Sequence, residues 1–238
     1  MNVAAAFAEP EIETATLEVA GAAAICDPRG ALFFADDRLL VVSDLHLEKG
    51  SSLARRGIFA PPYDTGSTLS VLADVIAHYR PAAVISLGDS FHDAEGAARL
   101  PVVYREALLE MMAGRDWFWI AGNHDPEAPH DLPGECVREL ALGDLIFRHE
   151  PSSGAAPGEI AGHLHPGARI VRRGRSVRRA CFACDGDRLI MPAFGAYTGS
   201  LNIRDRAYAG LFAAERLMAY MLGRNSVYPI AGTALRAG

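Results

Sequence analysis

The chain has 238 residues, half of them hydrophobic and 22% of them charged, which is the composition of a globular protein. Its net charge of −6 at pH 7 argues against a protein that coats nucleic acid through bulk positive charge. A phosphodiester substrate is not excluded, because bound cations would neutralise some of the acidic side chains. The length favours one α/β domain over residues 1–238 rather than two small domains.

Neither membrane insertion nor disulfide bonding is expected. No apolar run approaches the ~20 residues that span a membrane, and the N-terminus lacks the positive segment that begins a signal peptide. We therefore expect a cytoplasmic protein with reduced cysteines. Cys181 and Cys184 form a single C-x-x-C in an apolar run, and because no second pair exists, we predict buried thiols rather than a zinc site.

Short apolar runs alternate with amphipathic segments in the first two thirds of the chain. Amphipathic helices are predicted at 68–80 and 102–112, each between two apolar runs. Alternation of strand and helix is the α/β signature. Five apolar runs predict buried strands that each end at a polar loop, at 39–42, 83–87, 117–120, 145–147 and 160–161.

The pattern changes in the last third of the chain. Turns rich in glycine and aspartate separate three predicted strands at 168–172, 177–183 and 188–191. A last amphipathic segment, at 206–222, predicts a helix.

Polar motifs rich in histidine and carboxylate follow the five apolar runs. Such donors suit hard and borderline divalent metals. Functional loops of α/β folds gather at the carboxyl ends of strands, so we expect the motifs to meet at one site. The motifs are Asp44-Leu45-His46, Gly88-Asp89, Gly122-Asn123-His124-Asp125, His149 and Gly162-His163-Leu164-His165.

These donors match the needs of a two-metal phosphoesterase. Two metals ~3.5–4 Å apart generate and aim a shared hydroxide, and holding them so close requires a bridging carboxylate. Asp89, the middle acid of the series, is the natural bridge. Asp44 and His46 lie two residues apart on an extended segment and can reach one metal together. His163 and His165 have the same spacing and can reach the site together.

The remaining motif residues supply further ligands and a candidate acid. Asn123 offers a neutral carbonyl oxygen, and His149 offers an imidazole. His124 is then left beside the metals, as an acid for the departing oxygen or as a charge stabiliser in the transition state. We predict that Asp125 orients His124.

The order of the five motifs resembles that of the calcineurin-like metallophosphoesterase superfamily. The resemblance implies an α/β fold, a four-layer αββα sandwich of two mixed β-sheets flanked by helices. It implies two divalent metal ions, Mn²⁺ foremost with Fe or Zn as alternatives, and His124 as the catalytic histidine. It assigns Asp44, His46, Asp89 and His165 to one metal, and Asp89, Asn123, His149 and His163 to the other.

A narrower resemblance extends over nearly the whole chain, to the bacterial ligase-associated DNA damage response endonuclease. It implies a DNA substrate, a role in DNA repair, and functional association with a helicase and an ATP-dependent DNA ligase. Glu150 stands where glycine commonly follows the histidine in the wider superfamily, but glutamate matches the narrower group. The strings that carry this resemblance are Asp44-Leu45-His46-Leu47-Glu48-Lys49-Gly50, Leu87-Gly88-Asp89-Ser90-Phe91-His92-Asp93, Arg148-His149-Glu150-Pro151 and Pro192-Ala193-Phe194-Gly195-Ala196-Tyr197-Thr198-Gly199.

Candidate substrate contacts come from one arginine cluster and one histidine. Six arginines occupy positions 169–179, the one clear positive cluster of an acidic chain, and they follow His165 directly. Arg172, Arg173 and Arg175 are predicted to contact the phosphate backbone of DNA. An exposed hairpin with solvated arginines is the alternative. His92 lies three residues after Asp89 and is predicted to touch the substrate phosphate, with a structural loop histidine as the alternative.

Two other functions remain open from the residues. A small-molecule phosphoesterase acting on nucleotides or cyclic nucleotides would have a closed pocket rather than an open groove. A metal-free scaffold that uses the same fold for protein binding would lack some of the ligands. The presence of Asn123, His124, His163 and His165 counts against the scaffold.

Overall fold

The computed structural model describes residues 12–127, 129 and 131–237. The N-terminal residues of the signal-peptide prediction lie outside them. The helices are α1 (Lys49–Arg55), α2 (Asp64–Tyr79), α3 (Gly96–Arg99) and α4 (Val102–Met112), with short 3-10 helices at Arg206–Tyr208 and Gly232–Ala234. The strands are β1 (Ala15–Val19), β2 (Ala22–Cys26), β3 (Leu32–Phe34), β4 (Leu39–Val42), β5 (Ala83–Ser86), β6 (Asp116–Ile120), β7 (Glu135–Val137), β8 (Glu139–Leu142), β9 (Leu145–Arg148), β10 (Glu159–Ala161), β11 (Pro166–Arg172), β12 (Arg175–Cys184), β13 (Arg188–Ile190), β14 (Leu201–Asn202), β15 (Met218–Leu222) and β16 (Val227–Ala231).

These strands form two mixed sheets. The first has the order β1-β2-β3-β4-β5-β6-β7, antiparallel from β1 to β4 and parallel from β4 to β7. The second has the order β14-β11-β12-β13-β10-β9-β8, with β15 paired to β12 and β16 to β15. Its strands β9, β10 and β13 are parallel to one another. The predicted sandwich of two mixed sheets is confirmed.

Side-chain alternation along β4 shows how the sequence sets the layers. All four of its residues are buried. Leu39 and Val41 belong to the core between the sheets, together with Phe147 of the second sheet. Leu40 and Val42 face the other way, into a second core shared with α2 and α4. A strand covered on both faces reads as a continuous apolar run, which is why this strand was recognisable in the sequence.

A buried ion pair ties the second sheet to its neighbouring loops. Arg188 and Glu159 are each about 1% exposed, and Nε of Arg188 lies 2.5 Å from Oε2 of Glu159. The same guanidinium donates to the carbonyl oxygens of Ser152, Gly154 and Leu211. Because the arginine is paired and surrounded by acceptors, its burial is compatible with a stable fold.

The predicted helix at 206–222 is wrong. The segment forms a 3-10 helix at Arg206–Tyr208, then turns, and then strand β15. Gly210 has a φ of 77°, a left-handed conformation that a helix does not continue. Tyr208 and Leu217 nevertheless pack on the outer face of the second sheet, so the apolar residues cover this face as irregular structure.

The other predicted helices are confirmed with small changes in their bounds. The helix predicted at 102–112 has those bounds, and the one predicted at 68–80 begins earlier, at Asp64. None of the described helices is long and apolar enough to cross a membrane. All four cysteines are free, and Cys181 and Cys184 are buried, which confirms their predicted packing role.

Candidate metal centre

The five motifs meet where strands of both sheets end. Asp44 follows β4, Asp89 follows β5, and Asn123 follows β6, all in the first sheet. In the second sheet, His149 follows β9, and His163 follows β10. The loops are joined directly: the backbone amide of His163 donates to Oδ2 of Asp44, at 3.1 Å, across the two sheets.

The donor atoms fall into two clusters. Nitrogen and oxygen atoms of Asp44, His46 and His165 lie within 4.8 Å of one another, and so do those of Asp89, His149 and His163. Each cluster combines residues of both sheets. A third group, of His46, Asp89 and His124, overlaps the other two and connects them.

Asp89 lies between the two clusters. Its Oδ2 is 3.9 Å from Nε2 of His46, and its Oδ1 is 3.4 Å from Nε2 of His149. The backbone amide of His124 donates to Oδ1 at 2.9 Å. Burial is the largest single influence and would raise the pKa of the Asp89 carboxyl, but hydrogen bonds from His149 and the His124 amide, together with attraction to His149 and His46, outweigh it and lower the pKa. An ionised carboxylate therefore stands where a bridging ligand is required.

Asp44 provides an observation that tests the fit of a metal. Its Oδ2 accepts hydrogen bonds from the Ser43 hydroxyl and the His163 amide. Its Oδ1 is buried and, within the described residues, accepts no hydrogen bond, although Nε2 of His165 lies 3.1 Å away. A buried carboxylate oxygen without a donor is costly, and a divalent cation held with His46 and His165 would satisfy it.

Hydrogen bonding fixes which nitrogen of His149 is presented. Nδ1 lies 2.8 Å from the carbonyl oxygen of Leu87, so it carries the proton and donates. Nε2 is then directed toward Asp89 and lies 3.2 Å from Nδ1 of His163. Orientation of a ligand histidine by a backbone carbonyl is typical of metal sites.

The protonation of two site histidines differs. Burial lowers the pKa of His46 to about 4, so this ring is neutral at neutral pH. Burial also acts to lower the pKa of His149, but hydrogen bonding and charge attraction to Asp89 outweigh it and raise the pKa to about 9. A cation that binds His149 must therefore displace a proton, and binding will be favoured by higher pH.

Two motif glycines are required by close packing. A Cβ at Gly122 would lie 2.2 Å from the backbone nitrogen of Asp89. A Cβ at Gly162 would lie 2.0 Å from the Ser43 hydroxyl oxygen and 2.6 Å from Oδ2 of Asp44. Neither position accommodates a side chain without displacing a candidate ligand, which explains why glycine stands in these motifs.

Most candidate ligands have left-handed backbone conformations. The φ values are 54° at Asp44, 44° at His46, 47° at Asp89, 65° at His163 and 46° at His165. Non-glycine residues rarely adopt this region, and each instance costs on the order of 1 kcal/mol or more. Concentration of this strain in five of the seven predicted ligands marks the loops as a functional site.

His124 is held by His92 rather than by Asp125. Nδ1 of His124 lies 2.9 Å from the carbonyl oxygen of His92, and the two rings stack at 5.1 Å with an interplanar angle of 19°. Nε2 of His124 is thereby left facing Asp89, 4.0 Å from Oδ2. The side chain of His124 is 46% exposed, so a substrate can reach it. The hydrogen bond and the stack direct its free nitrogen toward the site.

Asp125 has a structural environment. Its Oδ2 accepts from the backbone amide of Phe91 at 3.0 Å, which fixes the loop after Asp89. Burial, together with the negative charge of Asp89, raises the pKa of Asp125 to about 7. The carboxylate fixes the loop that leads to His92, and the His92 carbonyl in turn holds His124. Asn123 is exposed beside it.

The predicted arginines lie at the tip of the β11–β12 hairpin, away from the metal centre. Arg172 and Arg175 pair at the tip, five residue steps from the Gly167–Ala180 pair at the base. At ~3.4 Å per residue the tip is roughly 17 Å from the base. Arg173, in the turn, lines a shallow surface depression with the two tip arginines.

Two other arginines lie closer, and the sequence did not single them out. Arg178 and Arg179 line an open groove of about 590 Å³ that begins at His165, which we name the His165 groove. Thr198 and Ser200 form its other side, and Arg178 donates a hydrogen bond to the Ser200 carbonyl. Strand register was the missing information, since it decides which arginines of the cluster flank the site.

Comparison with known proteins agrees with this geometry. Calcineurin-like phosphoesterase is the family that matches residues 37–175, a span that contains every candidate ligand. The fold is similar to a crystal structure of Pseudomonas putida nuclease MPE, with a TM-score of 0.73 and 27% identity over 92% of this chain and 100% of that chain. Yfce, a phosphoesterase from E. coli, matches at a TM-score of 0.39 and 16% identity over 81% of this chain and 98% of that chain. No curated protein matches the chain. The chain belongs to the calcineurin-like phosphoesterase family.

Proposed function

We propose that the protein is a two-metal-dependent phosphodiesterase that cleaves DNA as an endonuclease in DNA repair. The observation that carries the proposal is the pair of donor clusters that meet at Asp89, beside the open His165 groove. Paired clusters of this kind supply the two-metal arrangement that phosphodiester hydrolysis uses.

The residues fit two divalent cations. Asp44, His46 and His165 would hold one, Asn123, His149 and His163 the other, and Asp89 both. The sequence resemblance makes Mn²⁺ the first choice, with Fe and Zn as alternatives, and mixed carboxylate and imidazole donors are compatible with all three. When bound, such ions activate water and neutralise charge on the phosphate.

The protein's own groups would position and protonate the substrate. Nε2 of His124 is exposed and faces Asp89, so it can reach a phosphate oxygen held at the centre. A protonated His124 would give its proton to the departing sugar oxygen, or stabilise the negative charge that develops there. His92 holds His124 through its carbonyl oxygen and its ring. In this proposal His92 also contacts the phosphate.

DNA is favoured over a small nucleotide by the form and charge of the surface. The His165 groove is open along one side and carries Arg178 and Arg179. A polymer presents phosphates on either side of the cut, which exposed arginines can neutralise. Arg172, Arg173 and Arg175 would extend this contact toward the hairpin tip. The 27% identity to a nuclease over most of both chains supports a nucleic acid as the substrate.

The biological setting follows from the substrate. We propose a cytoplasmic protein, and its four free cysteines fit that compartment. The whole chain would form one catalytic domain. Functional association with an ATP-dependent DNA ligase and a helicase is part of the proposal through the sequence resemblance. The alternative is a phosphoesterase that acts on small nucleotides, and a comparison of DNA with cyclic nucleotides as substrates distinguishes the two.

A substrate panel with Mn²⁺ tests the proposal. Circular single-stranded DNA, nicked duplex DNA, cyclic nucleotides and an aryl phosphodiester would be compared for the wild type and for Asp89→Ala. We expect cleavage of circular DNA by the wild type, and loss of both activity and metal content in the variant. Hydrolysis of cyclic nucleotides without cleavage of DNA would contradict the DNA substrate, and two full metals in Asp89→Ala would contradict the bridging role.

A further inference from the structure

The loop between α1 and α2 exposes a cluster of large apolar side chains. Phe59 is 97% exposed, Tyr63 is 67% exposed and Ile58 is 54% exposed. Single exposed apolar residues are ordinary, but three within six residues form a patch that calls for a binding partner. None of the sequence motifs includes this loop.

The loop is held firmly in place. The backbone amide of Ile58 donates to the Leu53 carbonyl at 3.0 Å, and that of Tyr63 donates to the Pro61 carbonyl at 2.9 Å. Two consecutive prolines, Pro61 and Pro62, restrict the backbone further. The backbone on both sides of Phe59 is therefore restricted by the fold.

Helices α1 and α2 and the loop between them form a helical hairpin, and the base of this hairpin is hydrogen-bonded to the residues that follow the first metal motif. Glu48 and Gly50, which follow His46, donate their backbone amides to side chains of the first turn of α2. The acceptors are Oγ1 of Thr65 at 2.8 Å and Oδ2 of Asp64 at 2.9 Å, and both residues are buried. The position of the hairpin is thus set by the residues next to the metal centre.

The far end of α1 also lies beside the site. Arg55 forms an ion pair with Glu95, which lies three residues after His92. Lys49 begins α1, three residues after His46, and Arg56 caps the end of the helix, three residues before Phe59. Because α1 is only about 10 Å long, one short helix joins the loop that carries Phe59 to the first metal motif.

We infer that Phe59 is a stacking site for an unpaired nucleobase of the substrate strand, flanking the phosphate that is cut. This inference rests on the proposed function. An exposed aromatic face together with neighbouring cations is the combination that binds single strands, since every base has a π-face and every linkage a charge.

The test combines protein variants with abasic substrates. Wild type, Phe59→Ala and Phe59→Trp would be assayed with Mn²⁺ on single-stranded oligonucleotides in which one abasic site is moved along the strand. At one position the abasic site should lower the kcat/KM of the wild type by roughly 5- to 100-fold, the range for one stacked base. On the intact strand, Phe59→Ala should have the same reduced kcat/KM that the wild type has on the strand with the critical abasic site. For Phe59→Ala, introducing that abasic site should cause no further reduction. Phe59→Trp should retain the wild-type kcat/KM on the intact strand.

Control variants and control substrates distinguish a wrong stacking site from a wrong substrate or a wrong proposed function. Tyr228→Ala removes a 55% exposed aromatic side chain on β16 and should cleave the intact strand like the wild type. Equal rates for Phe59→Ala and the wild type on every strand would overturn the stacking site, as would an equal loss on an aryl phosphodiester or a changed oligomeric state. A wild type that hydrolyses the aryl diester but no DNA would overturn the DNA substrate and the stacking site together. Inactivity of the wild type on both would overturn the proposed function itself.

Discussion

Alanine at Gly122 should disable the metal centre while leaving the fold intact. The added Cβ would lie 2.2 Å from the backbone nitrogen of Asp89 and 2.3 Å from its Oδ1, about 1 Å inside ordinary contact. A backbone atom cannot rotate away, so the loop that carries Asp89 must move. Overpacking of this kind costs typically about 1–3 kcal/mol of stability. A displacement near 1 Å at the reacting centre costs on the order of 10²-fold in rate.

Three measurements on Gly122→Ala follow from this geometry. Metal content should fall at both sites because Asp89 serves both, turnover should fall on the order of 10²-fold, and the circular dichroism spectrum should remain native. Gly199→Ala is the matched control for metal content and fold, since a Cβ there meets nothing within 4 Å. Full metal content and turnover in Gly122→Ala would refute the argument that close packing on Asp89 sets this position.

Three further predictions concern separate parts of the molecule. His124→Ala should keep its metals and lose roughly 10²–10⁴ in turnover, with a smaller loss on an activated aryl ester; equal losses on both substrates would exclude leaving-group protonation. Arg188→Met should lower the free energy of unfolding in urea by about 3–5 kcal/mol because the buried carboxylate of Glu159 loses its nearest cation, whereas Arg216→Met, in an exposed pair, should cost far less; similar costs would contradict the role of burial. Hydrogen bonding to Arg99 lowers the pKa of Asp93 in the folded state, so its stabilising effect is present above the unfolded pKa and is lost as pH falls. The difference in unfolding free energy between wild type and Asp93→Asn should therefore shrink from about pH 5 to about pH 2, and a constant difference would refute the assignment.

The strands that carry the site were predictable because they are buried on both faces. Such strands read as unbroken apolar runs, and β4 and β5 were found within a residue of their observed bounds. Strands β1 and β2, with one exposed face and several alanines, left no comparable signal. Donor residues of the site were recognisable because each occupies a short motif at a strand end.

What the sequence did not reveal depends on contacts between distant residues. The amphipathic pattern of 206–222 indicated a segment with one buried apolar face. A helix and a series of turns can both pack such a face on a sheet, so the pattern alone did not distinguish them. Proximity of His92 to His124 is also non-local, since the two residues lie on loops after different strands. Arg178 and Arg179 became candidates only when the register of β12 was known.

Each donor cluster contains residues from both sheets. Bound ions would therefore connect the two sheets at one edge of the sandwich. A ligand that binds only the folded state stabilises it by an amount that grows with the logarithm of its free concentration, about 2.7 kcal/mol at one hundred times the dissociation constant. Two cross-linking ions would thus make the lifetime of the folded chain depend on the metal supply.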